Sequence, residues 1–588
     1  MSEVSGKAFD MKLLGKIMAF TKPYKKLFWG GVVLTVLLGA VGTTRPILIK
    51  YTIDHFVMIP DANGLLRYSL IMLFLLLLES VLQFAFIYSA NFLGQSVIRD
   101  IRIQLYDKLI RSQLKFYDRT PIGTLVTRAV SDIETIADIF SEGLLVIFGD
   151  LFKILVMILA MFYFFNWELV LISLSVVPLL YWATRWFQQA IKSTFQDVRN
   201  EVARLNAFVQ EHLTGMLVVQ AFNREEAEFG RFSKINEAHK VANIRSIWYF
   251  SIFLPIIEVL SAVSIGLVVW YGGIQAAYGN EITFGDLTAI LIFINMLFRP
   301  LRQLADRFNT LQMGMVASER VLKLLETEDR IEDHGRIIPK SIKGEIAFHK
   351  VWFAYKEDEW ILKGISFTVK PGETLAIVGA TGAGKSTITS LINRFYDIQK
   401  GSITLDGTDI REFKLEALRQ HISIGLQDVF LFSDSVLNNV KLGSDATLKE
   451  IQSAAKLIGI EEMIEQLPGN WEFKVGERGG TLSAGQRQLL AFLRAYIHKP
   501  EILILDEATS SIDTHSEQLI QRATEYLTQG RTSIVIAHRL ATIQRADRIL
   551  VMDHGEIVEE GRHQELLEKG GVYARLHEMQ FKLEENEI

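Results

Sequence analysis

The stretch Thr374–Thr387, TLAIVGATGAGKST, decides how the chain is read. Its first five residues are a short, continuous apolar run, which predicts a strand buried on both faces of a parallel sheet. Gly379–Thr387 then fits the phosphate-loop pattern GxxxxGK[ST], and Ile388–Phe395 continues as a helix. The chemistry needs that layout. The loop through Gly379, Thr381, Gly382, Ala383 and Gly384 lets backbone N–H groups wrap phosphates, and the helix N-terminus adds a favourable dipole. Lys385 supplies a point charge to the β- and γ-phosphates, the Ser386 hydroxyl completes the pattern and can ligate Mg²⁺, and Thr387, next in the chain, is a further candidate for nucleotide binding.

Further along, Ile502–Glu507 (ILILDE) is a second apolar strand ending in two carboxylates. Asp506 is placed to hold Mg²⁺ through water, and Glu507 to orient or deprotonate an attacking water. Between the two elements lies Leu482–Gln488, LSAGQRQ, which resembles the LSGGQ signature of ATP-binding-cassette (ABC) proteins. Other landmarks of that family follow in order. Tyr355 in VWFAY resembles the aromatic that stacks on adenine. Gln427 in IGLQD resembles the glutamine that senses Mg²⁺ and the attacking water. Val475–Gly479 (VGERG) resembles an exporter loop that touches the membrane domain, Asp513 in SSID the D-loop, and His538 in IAHR the switch histidine at the γ-phosphate.

Outward from this cassette the composition changes. Of the 588 residues, 49% are apolar and 37 are Phe, and the long apolar runs all precede about residue 320. Six stretches meet the roughly 20-residue length of a membrane span, at 27–53, 68–94, 141–166, 168–188, 247–273 and 283–299. The connections near Asn166, Pro60–Gly64 and Tyr278–Ile282 are short, with Asp61, Glu168 and Glu281 as their charges. Segments 95–140 and 189–246 are long and basic, so the positive-inside rule puts them and both termini in the cytoplasm. Ser96–Lys115 and Thr194–Glu211 have helical apolar spacing, which predicts membrane helices that continue into the cytoplasm. Pro121, Gly123 and Gly215 allow bends near Phe116–Gly123 and Leu213–Phe222. Met1–Lys26 reads as an amphipathic helix on the inner membrane face or as an ordinary leader turn.

Arg45, Lys50, Glu79, Lys153 and Glu258 lie inside or near the spans. Charges there are costly and are candidates for function, with Glu79 and Glu258 deepest in apolar text. The net charge of −5 predicts no nucleic-acid partner, and the absence of cysteine excludes disulfides and thiolate sites.

The resemblance covers essentially the whole chain, which is similar to the half-transporters of the ABC exporter group that moves drugs and lipids. The expected fold is a membrane all-α six-helix domain followed by an α/β P-loop nucleotide-binding domain. Its expected parts are an N-terminal helix at 1–26, the membrane domain at 27–320, a linker at 321–342 and the nucleotide-binding domain at 343–588. The resemblance implies ATP and Mg²⁺ as cofactors. It also implies a second half-transporter, because each ATP sits between the P-loop of one half and Ser483, Gly485 and Gln486 of the other. Ala484 replaces the usual glycine while Glu507 and His538 are kept, a combination that resembles the catalytic-glutamate subunit of a heterodimer and favours that pairing. The implied activity is ATP-driven export or flipping of a hydrophobic or amphipathic substrate by a multi-pass protein of the cell membrane, in bacteria the inner membrane. An ATP-gated channel or regulatory subunit is the rival class, and lipid flippase and drug exporter are the rival cargo classes.

Overall fold

The computed structural model describes residues 11–278, 282–327, 329–331, 333–357, 359–426, 428–506, 514–537 and 540–580, the side chains of 142, 301–306, 308, 309, 514, 515, 579 and 580 excepted. Residues 1–10 of the expected N-terminal helix and Glu281 lie outside them. The chain divides into two compact units. One holds the residues up to Ile110 and Ile122–Thr327, and the other holds Arg111–Pro121 and the residues from Glu328 onward.

The first unit is all helical. Among the described residues, five helical stretches are long and apolar enough to cross a membrane: Lys22–Val57, Ala62–Ile110, Ile122–Phe164, Trp167–Thr214 and Glu225–Ala277. The sixth stretch, 283–299, forms the first part of the helix Phe284–Glu326. In the apolar window of Ala62–Ile110 only 6% of residues are buried within the chain, leaving side chains such as Phe74 and Phe84 at 65% and 70% exposure. A face this apolar is not left to water, so it reads as lipid- or partner-facing. The 49 residues of this helix reach about 74 Å at 1.5 Å per residue, more than twice the roughly 30 Å hydrocarbon core. The helices therefore extend beyond the bilayer. Both expected bends are present, and each carries a short helix, Leu114–Arg119 and Met216–Ala221. Gly215 ends the helix that precedes the second of these.

Close packing and one ionic knot hold the unit together. A Cβ on Gly149 would lie 2.9 Å from Thr35 Cγ2, and one on Gly272 2.3 Å from Leu287 Cδ2, so small residues let these helices approach. Thr283 caps the helix Phe284–Glu326: its hydroxyl accepts from Asp286 N, and the Asp286 carboxylate accepts from Thr283 N, both at 3.0 Å. The same carboxylate meets Lys50 Nζ at 2.6 Å. Lys50 also donates to Phe164 O at 2.9 Å and lies over the Phe165 ring. Asp54 accepts from the Thr283 hydroxyl and from Gly285 N. Helices Lys25–Thr52, Leu145–Phe164 and Phe284–Glu326 are thus tied at one end.

The second unit is built on ten strands: β1 Ile346–Ala354, β2 Trp360–Val369, β3 Thr374–Gly379, β4 Lys400–Leu405, β5 Thr408–Asp409, β6 Ile422–Gly425, β7 Ile502–Asp506, β8 Thr532–Ile536, β9 Arg548–Asp553 and β10 Glu556–Gly561. They form an antiparallel sheet ordered β2-β1-β4-β5 and a six-stranded sheet ordered β10-β9-β3-β8-β7-β6. In the larger sheet β9, β3, β8, β7 and β6 run parallel, and β10 is antiparallel to β9. Every residue of β7 and β8 is buried, which is why Ile502–Leu505 of β7 reads as an unbroken apolar run.

Successive residues of these strands enter different cores. Leu375, Ile377, Ile502, Ile504 and Ile534 pack with Ile388, Leu391 and Ile392 of the helix Lys385–Ile392. Ala376, Val378, Leu503, Leu505 and Val535 pack with Leu489, Leu490, Phe492 and Leu493 of the helix Ala484–Ile497. The phosphate-loop helix and the signature helix lie on opposite faces of one sheet.

Asp286→Ala leaves the Lys50 ammonium half-buried without its carboxylate, a change that costs about 3 kcal/mol for a buried pair. The expected outcome is a lower thermal unfolding midpoint in detergent, followed by tryptophan fluorescence. A midpoint equal to wild type removes the knot from the forces that hold this unit.

Candidate nucleotide site and membrane cavity

The phosphate loop joins β3 to the helix Lys385–Ile392. Two of its glycines are sterically required. A Cβ on Gly379 would lie 2.2 Å from the Met552 carbonyl oxygen, a backbone atom that cannot move aside. Gly384, the N-cap, has φ +100°, and a Cβ there would lie 2.8 Å from Leu362 Cδ2, so both steric terms favour glycine. Lys385 is 7% exposed and folds back into the loop, donating to Gly379 O at 2.7 Å and Ala380 O at 3.0 Å. Burial pushes its ammonium below the ordinary lysine value, and Asp506 pulls the other way. The loop is therefore a ring of peptide groups around a buried cation, a setting that attracts an anion.

Ser386 Oγ lies 3.3 Å from Asp506 Oδ2, so the hydroxyl and the carboxylate converge although 120 residues separate them. Asp506 ends β7, two strands from β3. The carboxyl ends of adjacent parallel strands are where open α/β sheets bind ligands. Glu507 follows Asp506 directly and His538 follows Ala537 directly at the end of β8. Glu507, His538, Gln427 and Asp513 lie outside the described residues, and what the structure gives is the strand ends that precede the first three.

Tyr355 follows β1; the residue is 36% exposed and its hydroxyl lies 3.4 Å from Thr387 Oγ1. Gln399 fixes the strand end beneath it: its amide accepts from Ala354 N at 3.1 Å and donates to Ala354 O at 2.8 Å. Sequence reading passed over Gln399, because a glutamine before a strand gives no signal until the two chain segments meet.

Ser483 is the N-cap of the helix Ala484–Ile497. Its hydroxyl accepts from Gln486 N at 3.2 Å, and Gln486 Oε1 accepts from Ser483 N at 2.9 Å, a capping box. Gly485 is buried in the first turn. Ala484 opens the helix and is absent from the residues with positive φ. The backbone there has no need of glycine, and the departure from LSGGQ carries no strain.

In the helical unit, a cavity of about 660 Å³ takes in three of the five charges singled out from the sequence, Arg45, Glu79 and Lys153. Asp150, Arg299 and Arg307 join them, beside apolar Leu38, Phe86 and Met296. Arg45 meets Glu79 at 3.6 Å and Arg307 meets Asp150 at 3.2 Å. Glu258, the other acidic residue deep in apolar sequence, does not line this cavity, and Lys50 belongs to the ionic knot.

Comparison with known proteins gives two family matches. Residues 28–301 match the ABC transporter transmembrane region and residues 362–510 the ABC transporter family. The chain is 36% identical over 583 residues to an uncharacterized ABC transporter ATP-binding protein, YknV, of Bacillus subtilis, covering 98% of this chain and 96% of that one. It is 34% identical to proteins named ATP-dependent lipid A-core flippase from Syntrophus aciditrophicus, over 97% of this chain and 95% of that protein, and from Thiobacillus denitrificans, over 97% and 98%.

A base stacked on an aromatic ring is worth about 1–3 kcal/mol by alanine substitution. With the base on Tyr355, as the resemblance implies, Tyr355→Ala is expected to weaken ATP binding roughly tenfold, measured by equilibrium titration with a fluorescent ATP analogue. Unchanged affinity would take Tyr355 out of the base site.

Proposed function

We propose that this chain, which belongs to the ABC transporter family, is one half of a dimeric ATP-driven exporter whose cargo is an amphipathic lipid. The family gives ATP binding, ATPase-coupled transport of a hydrophobic substrate and a multi-pass membrane protein. The finer reading is drawn from the two sites.

One observation carries it: the phosphate-loop helix and the signature helix occupy opposite faces of the same sheet. A phosphate cradled at Gly379–Thr387 is completed by Ser483, Gly485 and Gln486 of another chain. In that arrangement the loop N–H groups and Lys385 bind the β- and γ-phosphates. Ser386 and Asp506, a hydroxyl and a carboxylate side by side, fit a hard divalent cation held mostly by oxygen and water, with Gln427 as a further oxygen donor. Mg²⁺ bound there would neutralise phosphate charge. Glu507 takes the proton of the attacking water, and His538 contacts the γ-phosphate. Nucleotide shifts the conformational equilibrium because it binds the closed dimer better than the open one.

The cavity supports the cargo. Charged pairs and apolar side chains share its wall, which suits a molecule that is polar in one part and apolar in another, and the relatives named as lipid A-core flippases point the same way. The basic segments 95–140 and 189–246 support cytoplasmic termini, and the bacterial relatives support a bacterial inner membrane. The sequence favoured a heterodimer because of Ala484. Its unstrained helical position instead supports self-pairing with two working sites.

Glu507→Gln removes the general base, a change worth about 10²–10⁴ in rate. The variant is expected to bind ATP as wild type does while phosphate release falls by that factor and the closed dimer accumulates. Phosphate release at the wild-type rate would defeat the assignment. The chain purified alone and reconstituted in lipid vesicles is expected to hydrolyse ATP. An inactive chain that gains activity only with a different half-transporter would replace self-pairing with the heterodimer.

A further inference from the structure

Tyr396 has no place in the phosphate chemistry, yet it stands between two functional elements of the second unit. On one side its ring meets Tyr355 edge-on, centroids 5.1 Å apart and planes at 89°, and it meets Phe353 in the same manner. On the other side its hydroxyl donates to Asp118 Oδ2 at 2.7 Å. Asp118 belongs to the short helix Leu114–Arg119, which the chain inserts between the helices Ala62–Ile110 and Ile122–Thr127 of the membrane unit. Gln113 N, just before that helix, donates to Asp329 O at 2.8 Å.

The position of Tyr396 is fixed from its own side as well. The helix Lys385–Ile392 that begins at the phosphate loop runs into Arg394, whose φ is +49°. Arg394 Nε donates to Asp397 at 2.9 Å, and Arg419 donates to Asn393 O and Arg394 O. The turn is thereby clamped at both ends, and the phenol is aimed by the backbone. Burial first, and then the Asp118 carboxylate, push the phenol above the ordinary tyrosine range, so it remains a proton donor at any working pH. A ring that only filled space between Phe353 and Tyr355 would need no hydroxyl.

We infer that Tyr396 is a positioning residue that reports the occupancy of the base-binding ring Tyr355 to Asp118, and through it to the two membrane helices joined by Leu114–Arg119. The inference rests on the reading of Tyr355 as the aromatic that stacks on the base. A base lying on the exposed face of Tyr355 restricts that ring. Its edge-on partner is restricted in turn, and the bond to Asp118 is held in one geometry. Loss of the hydroxyl leaves the aromatic contacts in place and cuts only the last link.

The test uses the full chain in lipid nanodiscs, titrated with a non-hydrolysable ATP analogue. Two quantities are followed: nucleotide occupancy by fluorescence, and hydrogen-exchange protection of the peptide spanning 114–119. In the wild type, protection is expected to rise in step with occupancy. In Tyr396→Phe and in the isosteric Asp118→Asn, occupancy is expected to stay within twofold of wild type, while half-maximal protection needs at least fivefold more nucleotide. The double variant should match the singles, because all three remove one bond. Protection that still tracks occupancy within twofold in both single variants overturns the inference, as does a double variant whose shift is the product of the singles. Tyr355→Ala separates the two readings. If its affinity is that of wild type, the base assignment falls, and the Tyr396–Asp118 link is then judged on the single variants alone.

Discussion

A strand in the middle of a parallel sheet has two apolar faces, and neighbouring residues must look opposite ways. That constraint governs the nucleotide-binding unit. Leu375 and Ile377 turn toward the helix that begins at Lys385, and Ala376 and Val378 toward the helix that begins at Ala484. Because both helices need an apolar face to pack on, the sheet holds them apart. The phosphate loop and the signature are each complete as local structures, the first around a buried lysine and the second as a capped helix end. That separation fits a half-transporter, in which each of these two elements is expected to meet its counterpart on a second half.

Much of this was legible in the sequence, for a physical reason. Elements held by local forces write themselves locally. The unbroken run TLAIV reflects burial on two faces, the glycines of the loop reflect a carbonyl at Met552 and a left-handed N-cap, and Pro121 and Gly215 mark the bends. What stayed hidden depends on groups far apart in the chain. The meeting of Ser386 with Asp506 could be expected only from the chemistry of Mg²⁺ at a phosphate loop, since nothing local in either segment points to the other. Gln399 bracing Ala354, and the short helix Leu114–Arg119 belonging with residues beyond Glu328, leave no local trace. The signature departure shows the limit most plainly. Sequence alone marks Ala484 as unusual, and whether alanine is strained there depends on a φ value that the helix supplies.

The charged residues in apolar sequence illustrate how such groups are tolerated. Isolated, each would be expensive. Lys50 is held by Asp286, by a carbonyl and by an aromatic face, a structural use that ties three helices. Arg45 and Glu79 neutralise one another at the wall of a cavity. Apolar depth in the sequence was therefore a weak guide to which charges face the cavity. It ranked Glu258 with Glu79, although only Glu79 lines the cavity.

The 53-residue helix Glu225–Ala277 has a mechanical consequence. At 1.5 Å per residue it is a rod of about 80 Å, more than twice the hydrocarbon thickness of a bilayer. Pro255 lies a little beyond its midpoint, where the missing N–H weakens the backbone ladder. The Ser251 carbonyl, four residues earlier, is left without its helical donor there. Any bending of this rod is therefore concentrated at one step of the backbone rather than shared along its length.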